Sequence, residues 1–293
     1  MAEQAQLPAV TWKRSASVLN LSHIRRGALY VLLGVLAAFC LYPFYLMIVG
    51  SFKDNAELFS MQQTLLPKQF DLRNYVNLFD RFPFGQILVN TFFFATSRVL
   101  LGVLFGTLAG FAYAKYDFPG RNLSFFFLLG TMMVPFQAIV VPSYLLIRSF
   151  GWLNSYTGLI VPGAVPAFGV FLMRQYFIGA VPDEILEAAR IDGCNEFKLF
   201  WRIGLPMARA GATVLGILLF MNTWNAFLWP FVIISKEQLY LVTVVVQAIN
   251  AGGIYTDYGM ALAAVTLGSL PLLIAFILVQ RHFISSLMTG FGK

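Results

Sequence analysis

The stretch Val181-Pro182-Asp183-Glu184-Ile185-Leu186-Glu187-Ala188-Ala189-Arg190-Ile191-Asp192-Gly193, continued by Cys194 to Pro206, is the most densely charged part of an otherwise apolar chain. Its residues predict two short helices with a break between them. Pro182 suits a first helical turn, where its missing N–H has no partner to lose. Asp183, Glu184 and Glu187 lie where the helix dipole favours negative charge. Gly193 is a natural stop, because it adopts the left-handed conformation without a Cβ clash. Asn195 is a candidate cap for a second helix through Phe197 and Phe200, and Pro206 disfavours helix at Leu205. Ile185, Ala188 and Ala189 are expected on one face, where two alanines let a partner's backbone come close. A solvated loop between two spans is the simpler reading. Two capped helices with apolar faces, beside lipid, read instead as a docking surface for another protein.

Composition places the rest in a membrane. The chain has 293 residues, 59% hydrophobic and 11% charged, against roughly 25% charged in a soluble domain. The net charge of +7 fits the positive-inside rule and anionic headgroups better than nucleic acid. Cys40 and Cys194 fall in a span and on the charged stretch, so no disulfide framework is expected. The apolar run after Arg25-Arg26 is too long for a signal-peptide core.

Charge-free runs give the spans. Gly27 to Phe52 is 26 residues without a charge, and about 20 cross a bilayer. Residues 53–85 are too charged to span. Gln86 to Ala114 is interrupted by Arg98 alone, and Asn122 to Ile147, Ser149 to Met173, Ala210 to Ser235 and Tyr258 to Gln280 complete six spans. The expected organisation is a tail over 1–26, a first span over 27–52, an external segment over 53–85, a five-helix core over 86–280 with its charged loop at 176–209, and a tail over 281–293. The fold class is all-α integral membrane protein. Thirteen Lys and Arg flank the side carrying the charged loop and six the other, which puts both termini and the loop in the cytoplasm.

Glu187-Ala188-Ala189, three residues, Gly193, nine residues, then Ile203-Gly204-Leu205-Pro206 resembles the EAA motif of binding-protein-dependent ABC importer permeases. A bare Glu-Ala-Ala carries no information; the full spacing between two spans is highly specific. Ala112-Tyr113-Ala114-Lys115, Phe118-Pro119-Gly120-Arg121, Met132-Met133-Val134-Pro135, Val141-Pro142, Gly151-Trp152-Leu153-Asn154-Ser155 and Trp224-Asn225 resemble the carbohydrate branch, of the maltose-importer type, and similarity runs roughly from Leu29 to Gly290. Two departures stand out. Ala226 follows Trp224-Asn225 where the branch usually has Glu, and the tail ends Thr289-Gly290-Phe291-Gly292-Lys293 instead of in a Gly-Ala-Val-Lys-Gly-like run.

The resemblance implies a six-helix, type I (MetI-like) permease fold in the bacterial cytoplasmic (inner) membrane. It also implies partners: a homologous second permease, two ATPase subunits, an external solute-binding protein and a carbohydrate substrate. Glu187, Ala188, Ala189, Arg190, Gly193, Leu205 and Pro206 would form the ATPase-coupling element, with Glu187 and Arg190 at its rim. Asn250, Gly252, Gly253 and Tyr255, in the last external loop, would contact the binding protein, or that loop is a plain connector. Candidate pathway residues are Arg98, Gln137, Asn222, Trp224 and Asn225. Aromatic faces and amides suit sugars, yet Trp also anchors interfaces and Asn bonds helices together. Arg98 is costly at mid-membrane, by roughly 2.5–3.5 kcal/mol. A structural bond to backbone carbonyls or to the partner subunit is the favoured reading over contact with an anionic ligand, although the positive charge balance tilts the substrate class faintly toward an anion.

Several chemistries are excluded from this chain. It has no Gly-x4-Gly-Lys-[Ser/Thr] phosphate loop, so ATP and Mg would be bound by the partner ATPase and no cofactor by this chain. His23 and His282 lie near opposite ends, leaving no metal-ligand spacing, and no catalytic constellation is apparent. The alternative is an ion-coupled secondary transporter, which usually carries paired intramembrane acids. No Asp or Glu lies within the six expected spans.

Overall fold

The computed structural model describes residues 17–62, 64–251 and 257–290, with side chains from 25 to 277. Its helices are α1 (Ser17–Gly50), α2 (Asn55–Leu58), α3 (Arg73–Arg81), α4 (Phe84–Lys115), α5 (Arg121–Met132), α6 (Phe136–Ser149), α7 (Tyr156–Ile160), α8 (Ala167–Ala180), α9 (Asp183–Ile191), α10 (Glu196–Lys198), α11 (Leu205–Met207), α12 (Arg209–Trp224), α13 (Leu228–Ile233), α14 (Val242–Asn250) and α15 (Tyr258–Gly290). Among the described residues there is no strand. In hydrocarbon each backbone N–H and C=O must be satisfied within the segment, which a helix does.

Three stretches are each long and apolar enough to span alone: Arg25–Gly50, Phe84–Lys115 and Tyr258–Ile277. Three more are bent pairs, giving up to six spans. α5 and α6 meet at 102°, where Pro135, extended at φ −65° and ψ 134°, starts the second helix. The charged residues Glu196–Met207 meet α12 at 77°. On composition that charged half belongs to the loop. α12, roughly 24 Å long at 1.5 Å per residue, is instead extended by α13 after a break at Asn225–Phe227.

α4 is the axle of the bundle. Gly102, Gly106 and Gly110 recur every fourth residue along it and are buried, which lets neighbouring helices approach closely. A Cβ on Gly110 would lie 2.7 Å from Met173 Cβ and 2.9 Å from the Arg174 nitrogen; on Gly106 it would lie 3.4 Å from Gly169 of α8. On Gly102 it would meet the end of the Leu219 side chain, from α12. α8 and α12 accordingly pack along α4. At the start of α4, buried Asn90 uses its whole amide. Its Oδ1 accepts from Gln86 Nε2 (2.8 Å) and the Tyr156 hydroxyl (2.7 Å), and its Nδ2 donates to the carbonyls of Gln238 (2.7 Å) and Tyr240 (3.2 Å). Nearby, Asn154 sits at φ 53°. Its Oδ1 accepts from the Ser235 and Lys236 backbone at 2.6 and 3.1 Å. These bonds clasp the end of the bundle remote from the charged loop.

Several expectations are corrected. The first and last candidate spans, Arg25–Gly50 and Tyr258–Ile277, lie close to the expected ones, but the helices run on past them, α1 from Ser17 and α15 to Gly290. The run Ser149 to Met173 is not one helix: Ser149 ends α6 and Tyr156 starts α7 after a turn with Gly151 at φ 69°. The external loop Lys236 to Asp257 contains α14, whose Val242, Val244, Val245 and Ile249 are buried. Its first N–H donates to Thr91 Oγ1 at 3.1 Å.

Gly110→Ala should lower the melting temperature of the detergent-purified protein more than Gly102→Ala. Backbone blocks the first methyl and only a mobile side-chain tip the second; overpacking costs about 1–3 kcal/mol.

Candidate functional site

The charged loop folds as a hairpin of α9 and a second helical arm. α9 closes with paired bonds: Gly193 N to Arg190 O and Cys194 N to Ala189 O, both 3.0 Å, with Gly193 at φ 83°. This geometry satisfies carbonyls that the helix end would otherwise orphan. Asn195 then caps the second arm, its side chain accepting from Lys198 N at 2.9 Å. That arm runs through α10, a π turn over Leu199–Gly204 and α11. Pro206 does not break the helix at Leu205, which stays right-handed at φ −62°, ψ −43°. The wider turn upstream displaces the carbonyls a proline ring would strike in a regular α-helix. The break falls at Ala208, φ −91° and ψ 13°.

The hairpin is fused to the spans. Leu186, Ala189, Leu199 and Phe200 share one buried cluster with Phe111 of α4 and Met173 and Phe177 of α8. Three rings form its centre: Phe111 lies 5.1 Å from Phe177 and 5.5 Å from Phe200, edge to face. Gly204 makes room for them, since a Cβ there would sit 2.7 Å from the Phe111 ring. At the rim, covered Lys115 donates to Val181 O (2.5 Å) and Asp183 Oδ1 (2.8 Å).

Of the trio expected to share a face open to a partner, Ile185 and Ala188 are exposed, whereas Ala189 turns inward with Leu186. A 100° step per residue puts Ala188 and Ile185 with Ile191, which is 87% exposed. Glu187 is exposed with them, whereas Arg190 is engaged within the hairpin. Its guanidinium donates to Glu196 at 2.9 and 3.2 Å and lies 5.9 Å from the Tyr116 ring. Tyr116 also donates to Glu196. Hydrogen bonds from Arg190 and then Tyr116 hold the Glu196 carboxyl below its ordinary pKa. Burial, then the bond to Glu196, pushes the Tyr116 hydroxyl up to about 12, so it remains a donor.

The other candidates are scattered. The Arg98 guanidinium fills the place a Cβ on Gly163 would take and lies 5.7 Å from the Phe94 ring. It thus plugs the turn between α7 and α8. Gln137 is exposed just after Pro135, and Asn222 and Asn225 are exposed at the end of α12. Trp224 is not an open platform: it is buried, and its Nε1 donates to Gly268 O at 3.0 Å. Asn250 ends α14, while Gly252, Gly253 and Tyr255 lie outside the described residues. The four-residue spacing of Gly102, Gly106 and Gly110 is a packing signal legible in the sequence; the room that Gly204 makes is not, because it depends on the Phe111 ring of α4.

Residues 102–288 match the family described as binding-protein-dependent transport system inner membrane component. The arabinooligosaccharides transport system permease protein AraQ of Halalkalibacterium halodurans is 33% identical, over 87% of this chain and 92% of its own. The sn-glycerol-3-phosphate transport system permease protein UgpE of Yersinia pestis bv. Antiqua is 31% identical, over 88% and 93%. A crystal structure of a bacterial ABC transporter involved in the import of the acidic polysaccharide alginate contains a chain that superposes with TM-score 0.75 at 25% identity, over 94% of this chain and all of that one.

Gly193→Ala forces a side chain into the left-handed region at roughly 1–2 kcal/mol. Amide exchange across residues 183–198 should accelerate about tenfold. Because the Glu196 pKa is lowered on folding, its contribution is present above the ordinary value of about 4.3 and lost as pH falls through the folded one. The melting-temperature gap between wild type and Glu196→Gln should hold steady above about pH 5 and close below about pH 4.

Proposed function

Since this chain belongs to the inner-membrane components of binding-protein-dependent transport systems, we propose that it is the permease subunit of an ATP-driven importer of sugars or oligosaccharides. It forms half of a translocation pathway and is not itself an enzyme. A homologous second permease supplies the other half, two ATPase subunits bind ATP and Mg, and an external binding protein delivers the sugar. The membrane is the bacterial cytoplasmic one, with both termini in the cytoplasm by the distribution of Lys and Arg.

The observation that supports this reading is the hairpin's two-sidedness. One side is embedded in the aromatic cluster of α4 and α8. The other exposes Ile185, Glu187, Ala188, Ile191 and Phe197. Apolar side chains on a charged, solvent-facing element mark a surface that another protein covers. Helix-in-groove docking on the ATPase would supply that cover. Closure of the ATPase dimer then shifts the hairpin, and the shared rings pass the shift to the spans. ATP biases the pathway by binding preferentially to one of its two states. Relatives named for arabinooligosaccharides and for glycerol phosphate support the carbohydrate class without choosing one member.

Gly193→Pro should leave the protein in the membrane and abolish ATPase stimulation by the loaded binding protein in reconstituted vesicles. Normal stimulation in that variant would contradict the coupling role.

A further inference from the structure

Two clefts lie end to end between α14 and α15. The first, about 430 Å³, opens beside α2 and the start of α15. The second, about 310 Å³, ends at Trp224 and Asn225. Val246 and Val265 line both, so the clefts adjoin at these two side chains as a groove in two parts. From Tyr258 to Leu272 it follows α15 for roughly 21 Å at 1.5 Å per residue. Each cleft falls within the roughly 300–1,000 Å³ of known ligand sites.

We propose that this groove is a track for a neutral, hydroxyl-rich oligosaccharide, and that it selects against sugars bearing carboxylate or phosphate. The assignment rests on the importer reading above. Three features carry it. At the mouth, Phe59 and Tyr258 stand edge to face at 5.0 Å and are 68% and 45% exposed, offering ring surface to the C–H faces of a sugar. Along the floor, Thr243 and Gln247 follow each other one turn apart on α14, opposite Ser269 of α15. At the inner end, Asn225 donates to Met221 O at 2.8 Å, leaving its Oδ1 to accept. Thr243 and Ser269 spend their hydroxyl protons on Ala226 O and Thr266 O, both at 2.8 Å, so they accept, as Asn225 Oδ1 does; the Gln247 amide can both give and take, and together these groups match sugar hydroxyls.

Among the described residues no Lys, Arg, Asp or Glu lines either cleft. An anion at this depth would be desolvated without a countercharge, which is costly. Arg98, the cation that the sequence offered for such a ligand, is turned onto Gly163 instead and lines neither cleft. A lipid chain needs no row of amides, and amides facing lipid would go unsatisfied.

The test uses the assembled importer, with its binding protein, in proteoliposomes. The probes are arabinotriose and maltotriose as neutral sugars and trigalacturonate as the anionic one. Wild type is expected to take up a neutral probe and not the uronate. Phe59→Ala and Gln247→Ala should each cut that uptake about tenfold, with ATPase stimulation by the loaded binding protein retained. Unchanged uptake in both variants overturns the track. So does loss of the second permease from either purified variant, which would assign the groove to that subunit. An ATP-dependent wild type that carries only the uronate overturns the track and leaves the importer standing. A wild type that carries none of the three with ATP overturns both.

Discussion

Everything at the hairpin end depends on three rings meeting around a missing side chain. Phe111, Phe177 and Phe200 come from a long span, a half-span and the second arm of the hairpin. They reach contact because Gly204 yields the space of one Cβ. The burial of these rings is what makes a polar, 77°-bent segment part of the same solid as the bundle. Surface bonds such as Arg190 with Glu196 add orientation but little energy, since exposed ion pairs contribute about 0–1 kcal/mol.

Close packing recurs along α4 for the same reason. Helices in lipid gain no hydrophobic advantage from meeting one another, so their contact must come from shape. Glycines at every fourth position give α4 a flat side, and α8 lies on it closely enough that one added methyl would strike backbone.

Much of this was readable from residues alone. Charge-free runs located the spans because a charge in hydrocarbon is expensive, and the stop at Gly193 and cap at Asn195 followed from local backbone chemistry. What escaped had nonlocal causes. Helical spacing puts Ile185, Ala188 and Ala189 near one another on α9 but does not say where the bundle's edge cuts that face, and Ala189 falls on the buried side of it. Pro206 reads as a breaker unless the wide turn before it is known. α14 lies in the expected last external loop, and its burial depends on α4 and α15, which the local sequence does not show. Trp224 beside Asn225 is a candidate for the pathway; the indole lines a cleft there but is buried, with its N–H committed to Gly268 O, which spacing alone does not reveal.

The clasp at the far end differs in kind from the rings. Asn90 and Asn154 hold backbone atoms through bonds with fixed directions, whereas ring packing tolerates sliding and tilting. On the coupling role proposed above, a push delivered at the hairpin would meet its fulcrum at the clasped end of the bundle. The spans would pivot there as stiff levers, with their travel greatest at the hairpin end.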